Sequence, residues 1–211
     1  MFEIIDSILH IDVTLLQWAQ NYGLLIYFIL FLIIFCETGL VVTPFLPGDS
    51  LLFAVGALTA TQNFLQLDRI IPLLIFAAAL GDSTNFFIGR TWGIKLFTLN
   101  FFLLKPRYLK ITEEFFQQKG RWAVSLSRFF PIIRTFAPFF AGMSTMKYRY
   151  FILLSFFGSV CWVMIFVLAG YFFGQIDFVQ KNFTYLVMGL VLLSLTPIGI
   201  TGFKTYFLKK T

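Results

Sequence analysis

The chain has 211 residues, of which 59% are hydrophobic, 12% charged and 30 phenylalanine. A soluble domain carries about 25% charged residues, and one of this length could not hide so much apolar surface from water. The formal charge of +6 is distributed along the flanks of apolar segments, as topology signals are, which speaks against a nucleic-acid partner.

Phe2–Gln20 reads as an amphipathic segment. It is followed by Leu24–Cys36, a run of 13 apolar residues, too short to cross a bilayer alone. That run leads into Glu37-Thr-Gly-Leu-Val-Val-Thr-Pro44-Phe-Leu-Pro47-Gly48-Asp49 and then a second short apolar run, Leu51–Leu58. Two prolines and a Pro-Gly turn speak against one continuous helix. The pattern predicts a re-entrant hairpin, which is tolerated at membrane depth where protein or a water-filled cavity satisfies the backbone. The alternative is a single tilted span, Tyr22–Val42, with Glu37 near its end and a Pro-rich loop after it.

One span of about residues 70–89 comes next. Ala77, Gly81, Asn85, Gly89 and Gly93 recur at every fourth position, a smooth face that lets another helix approach. Asp82 and Arg90 lie eight apart, about 12 Å along a helix, so they do not pair with each other and each needs a partner elsewhere. They are read either as charges at the ends of a packing helix or as residues supporting a substrate path.

The second half repeats the theme. Pro106–Gly120 is amphipathic, Trp122–Phe130 is a short apolar arm carrying Arg128, and Pro131 breaks it. Arg134 follows, and Pro138 precedes a second short arm ending near Met146. Arms of this length span roughly 13 Å as helix, half a bilayer. Tyr150–Gly174 and Phe183–Phe203 then run 25 and 21 residues without a charge. Both are expected to be transmembrane helices serving as anchors, with Gly170 and Gly174 as a small-xxx-small step on the first and a kink at Pro197 in the second.

The first 68 residues carry six acids (Glu3, Asp6, Asp12, Glu37, Asp49, Asp68) and no Lys or Arg, leaving no basic n-region for a cleavable signal peptide. Lys147 and Arg149 precede one clean span, and Lys204, Lys209 and Lys210 follow the other, so the C-terminus is expected in the cytoplasm. The expected architecture is an all-α, multi-pass membrane protein with about 3–5 transmembrane helices. It forms a single domain, an inverted repeat of residues 1–104 and 105–211 with two opposed re-entrant hairpins. One histidine, His10, excludes a His-based metal cluster and a Ser/His/Asp arrangement; Cys36 and Cys161 are too few for a disulfide framework.

Phe35-Cys36-Glu37-Thr-Gly-Leu-Val-Val-Thr-Pro44-Phe-Leu-Pro47-Gly48-Asp49, Gly81-Asp82 with Gly89-Arg90, and Ser127-Arg128-Phe-Phe-Pro131-Ile-Ile-Arg134-Thr-Phe-Ala-Pro138 with Ala141-Gly142-Met143 resemble the bacterial DedA family (SNARE-associated or VTT domain). The motifs match in order over nearly the whole chain. The resemblance implies an inner-membrane protein with two opposed re-entrant hairpins, linked to flipping of undecaprenyl phosphate or phospholipids, to envelope integrity and to proton-motive force. The family's acidic pair falls on Glu37 and Asp49 and its arginine pair on Arg128 and Arg134.

Chemistry agrees. An Arg or carboxylate at membrane depth costs at least ~2.5 kcal/mol, and such residues mark ion, proton or substrate paths. Four of them total about 10 kcal/mol unless paired or hydrated. The guanidinium fork matches a phosphate and stays charged when poorly hydrated, so Arg128 and Arg134 are the expected phosphate holders. Glu37, after its apolar run, is the expected proton carrier and Asp49 a gating acid that pairs with an arginine when substrate is absent. The competing view is a permanent acid–arginine lock between the hairpins. The expected partners are membrane lipids and protons, with homo-oligomers allowed and no cofactor. Alternatives are a proton-coupled ion or cationic-drug antiporter using the two carboxylates, and a non-transporting scaffold. An intramembrane enzyme with the acids as a dyad is disfavoured by their Pro-rich context.

Overall fold

Every regular element among the described residues is helical, the arrangement that satisfies backbone polar groups where water is absent. A computed structural model describes residues 24–40, 48–61, 65–98 and 106–176. These form α1 (Leu25–Gly39), α2 (Gly48–Thr61), α3 (Leu67–Thr98), α4 (Pro106–Lys119), α5 (Ala123–Leu126), α6 (Pro131–Met143) and α7 (Tyr148–Phe173). Single 3-10 turns, Gly120–Trp122 and Ser127–Phe129, flank α5. The expected amphipathic segment Phe2–Gln20, the turn at 41–47 and the span Phe183–Phe203 lie outside the described residues.

Among the described residues, two helices are long and apolar enough to cross a bilayer: Leu67–Gly93 within α3, 27 residues, and Tyr148–Phe173, 26 residues. The shorter α1 and α2, at 15 and 14 residues, extend only about 22 Å, less than the ~30 Å hydrocarbon core. Two local expectations change. Glu37 is not in a broken centre, because α1 continues through it to Gly39. Pro138 does not start a new arm, because α6 runs through it from Pro131.

The described residues fall into two compact units. The first comprises residues 24–28, 48–61, 65–70 and 164–176. There α2 is buried almost all round, from Leu51 to Leu58, against the second half of α7. A Cβ on Gly56 would strike the carbonyl of Val167, and one on Gly170 the carbonyl of Phe53, so the two backbones touch. Gly170 thus packs as its spacing predicts.

The second unit comprises residues 29–40, 71–98 and 106–163. The predicted small face of α3 is buried at Ala77, Gly81, Asn85, Gly89 and Gly93. At Gly81 it meets the end of α1 near Phe35 and Gly39; at Gly89 it meets the α6 backbone at Phe139. From α6, Gly142 returns the contact against Phe86. The amphipathic α4 opens with Pro106, whose missing N–H costs nothing at a helix start. It closes at Gly120, where φ of +59° suits a residue without a Cβ. Beyond it the core gathers Phe86, Val124, Ala141 and Phe151. Phe86 stacks on Phe151 at 4.5 Å, and the Tyr148 hydroxyl donates to Ser83 Oγ at 3.0 Å.

Candidate functional site

Helical periodicity carries a charge into the second unit. On α1 the buried positions include Ile26, Leu30, Ile34, Glu37 and Thr38, spaced as one stripe, so Glu37 shares the face of the core residues and is 4% exposed. On α3, Asp82 follows the packing glycine Gly81 and is also buried. Arg128 occupies the middle of the Ser127–Phe129 turn, and Arg134 stands in the first turn of α6. Between them Phe130 is extended, with φ −120° and ψ 105°, the conformation a following proline imposes. That corner lets residues six apart bring their guanidinium groups to one ring.

The ring is Trp162 of α7, fully buried. Arg128 Cζ lies 5.4 Å from its centroid and Arg134 Cζ 5.1 Å. Arg134 Nη2 donates to Glu37 Oε1 at 2.7 Å. Arg128 Nη2 donates to Asp82 Oδ2, which also accepts from the Ser155 hydroxyl. Two acids and two arginines therefore balance in formal charge. Removing one partner of a buried pair costs about 3–5 kcal/mol, because the other charge is left in a poorly hydrated place. The cation–π contacts add up to ~2 kcal/mol each where desolvated. Hydrogen bonding is less evenly matched. Arg128 is 3% exposed, yet its Nε and Nη1 have no hydrogen-bond partner. A guanidinium carries five N–H donors, so donors of Arg128 on either side of Nη2 are left open inside the cluster.

Asn85 holds the frame. Fully buried, it donates from Nδ2 to the Thr38 carbonyl at 3.1 Å and to the Thr135 carbonyl at 3.0 Å. Thr38 lies in the last turn of α1, where carbonyls lack intrahelical donors. Thr135 lies beside the carbonyl of Arg134, which Pro138 deprives of its usual N–H. Asn85 thus ties α3 to the end of α1 and to the α6 backbone near its proline.

Of the residues singled out in the sequence, Glu37, Asp82, Arg128 and Arg134 are brought together. The acid beside Arg128 is Asp82. Asp49 stands half-buried in the first turn of α2, in the first unit. Arg90 is exposed, its guanidinium 5.9 Å from the Phe86 ring one turn back. Asp82 and Arg90 have separate partners, as their spacing requires. Sequence reasoning missed Ser155 and Trp162 and took α7 for an anchor. A signal exists: Ser155, Ser159 and Trp162 are all buried, and their spacing of four and three marks one polar stripe in an apolar helix. Among the described residues no group of three His, Cys, Asp or Glu is placed to hold a metal ion.

Comparison with known proteins adds independent findings. The family model of the VTT domain matches residues 46–172. Protein DedA of Escherichia coli K12 is 48% identical over 199 residues, covering 93% of this chain and 91% of that protein. Inner membrane protein YqjA of the same organism is 32% identical over 204 residues, 92% of each chain. An uncharacterized membrane protein of Mycobacterium tuberculosis H37Rv is 40% identical over 179 residues, 83% of this chain and 78% of that one. No solved structure matches.

Proposed function

Because the chain belongs to the DedA family of VTT-domain membrane proteins, we propose that it moves an anionic lipid, undecaprenyl phosphate or a phospholipid, across the inner membrane with proton coupling. The observation that carries this reading is the pair of open donors of Arg128, Nε and Nη1, buried beside a second arginine. Phosphate oxygens accept from such donors, and two guanidinium groups against one indole can share a single phosphate. Charge balance supplies the coupling. The site is formally neutral with both acids ionised, so an entering phosphate adds an uncompensated negative charge. A proton taken up by Glu37 offsets it and releases Arg134 from its partner toward the phosphate. Asp82, held by Arg128 and Ser155, keeps Arg128 in place meanwhile. Asp49 keeps its sequence-based assignment as a gating acid.

In this reading α1, α2, α5 and α6 are arms of two opposed re-entrant hairpins, since each is too short to span, and the basic C-terminal flank lies in the cytoplasm. The test uses the full chain in liposomes, following accessibility of labelled lipid phosphate across the bilayer. Arg134→Ala is expected to slow translocation at least tenfold, and Glu37→Gln to abolish its dependence on a pH gradient. Equal rates for wild type and Arg134→Ala refute the assignment.

A further inference from the structure

A groove of about 220 Å³ opens on the second unit, outside the charge cluster. One wall is Trp122, Leu126 and Phe129 from the α5 region; the other is Phe157 and Cys161 of α7, with Gly158 as the floor. Its surface is apolar throughout. The rims face outward, Trp122 being 61% exposed and Phe157 57%, as suits a wall turned to lipid. The floor is what ties it to the site. A Cβ on Gly158 would lie 3.3 Å from Arg128 Cδ and 3.0 Å from Ser125 Cα. Gly158, which lines the groove, thus also lies close to the aliphatic stem of the arginine whose Nε and Nη1 donors are open. Ser125, which would otherwise present a hydroxyl here, turns it to the Leu154 carbonyl at 2.6 Å. At ~30 Å³ per water-sized group the groove holds about seven such groups, the bulk of a stretch of hydrocarbon chain.

We infer that this groove seats the hydrocarbon chain of the anionic lipid, next to the arginine that holds its phosphate. The inference rests on the phosphate reading proposed above and assigns it a second contact, with the glycine floor setting how close chain and head group lie. Phosphate contacts at Arg128 select the head group, and the groove selects ligands in which a chain is joined to it. Inorganic phosphate, lacking a chain, gains nothing from the groove.

The test places the full chain in phosphatidylcholine vesicles with dodecyl phosphate carrying a photoreactive diazirine at mid-chain. Label is expected on residues 122–129 and 157–161. An excess of unlabelled dodecyl phosphate should lower it at least fivefold, and dodecanol should leave it unchanged. Cys161→Phe, which fills the groove from a half-buried position, should lower the competable label at least fivefold; Cys161→Ala should leave it near wild type. Unchanged helical content and thermal unfolding show that both variants fold. Competable label mapping to other helices, indifferent to Cys161→Phe, overturns the groove and leaves the phosphate reading standing. Groove label displaced equally by dodecanol shows a seat for bulk hydrocarbon and also overturns it. Label that no phosphate displaces, with Arg128→Gln without effect, refutes the phosphate reading, and the inference falls with it.

Discussion

Replacing Asp82 by asparagine removes the counter-charge from Arg128 while preserving shape. The side chains of the pair are 2% and 8% exposed, so solvent screens the loss very little. Breaking a buried pair from one side costs about 3–5 kcal/mol. The amide that replaces the carboxylate would still offer a carbonyl to Ser155 and to Arg128, which puts the expected loss near ~3 kcal/mol, the lower end of that range. The assay is reversible denaturation in mixed micelles of wild type, Asp82→Asn, Arg128→Gln and the double variant. If the pair carries the cost, the double variant is more stable than the sum of the single losses by roughly 0.5–3 kcal/mol, the range for residues in direct contact. The same variant separates a lock from a path. Asp82 keeps a negative charge beside a phosphate held at the open donors of Arg128, so Asp82→Asn should bind dodecyl phosphate more tightly even as it loses stability. A loss under ~1 kcal/mol with additive singles would refute the energetic argument. Weaker dodecyl phosphate binding would refute that repulsion.

Trp162→Leu takes the ring from both guanidinium groups and is expected to cost about 2–4 kcal/mol, while Trp162→Phe, keeping a weaker π face, costs about 1 kcal/mol. Thermal unfolding in micelles checks both, and equal melting of the two variants would refute the cation–π account. Asn85→Leu withdraws donors from the Thr38 and Thr135 carbonyls and is expected to cost about 2–5 kcal/mol. Hydrogen exchange checks where the loss falls: protection should drop at the end of α1 and through α6 around Pro138, and a uniform drop would refute the pinning role.

Much of this was legible in residue order. Charge depletion and uninterrupted apolar length identify a membrane protein, because a bilayer is the solvent that tolerates them. The four-residue repeat of small residues on α3 announces its buried face, because helical pitch alone decides which residues align. The same pitch puts Glu37 in register with Leu30 and Ile34, so its burial is readable once α1 is drawn as one helix. The prolines misled more than they informed. Pro131 does make the corner between Arg128 and Arg134, through its effect on Phe130. Pro138 does not break α6, which runs through it from Pro131 to Met143, and Asn85, 50 residues from Thr135 in sequence, docks on the backbone near it.

By itself, then, the sequence determined the class of the molecule and the helical faces, and it marked Glu37, Asp49, Arg128 and Arg134 as costly charges. These depend on composition and on spacings within a turn or two. Only the tertiary structure decided that Arg134 faces Glu37 across 97 residues and Arg128 faces Asp82 across 46, with Asp49 placed in the other unit. It alone placed Trp162 against both arginines and Ser155 on Asp82. Which polar stripe meets which depends on how helices cross and rotate about one another, and that is set by close glycine contacts between segments distant in sequence.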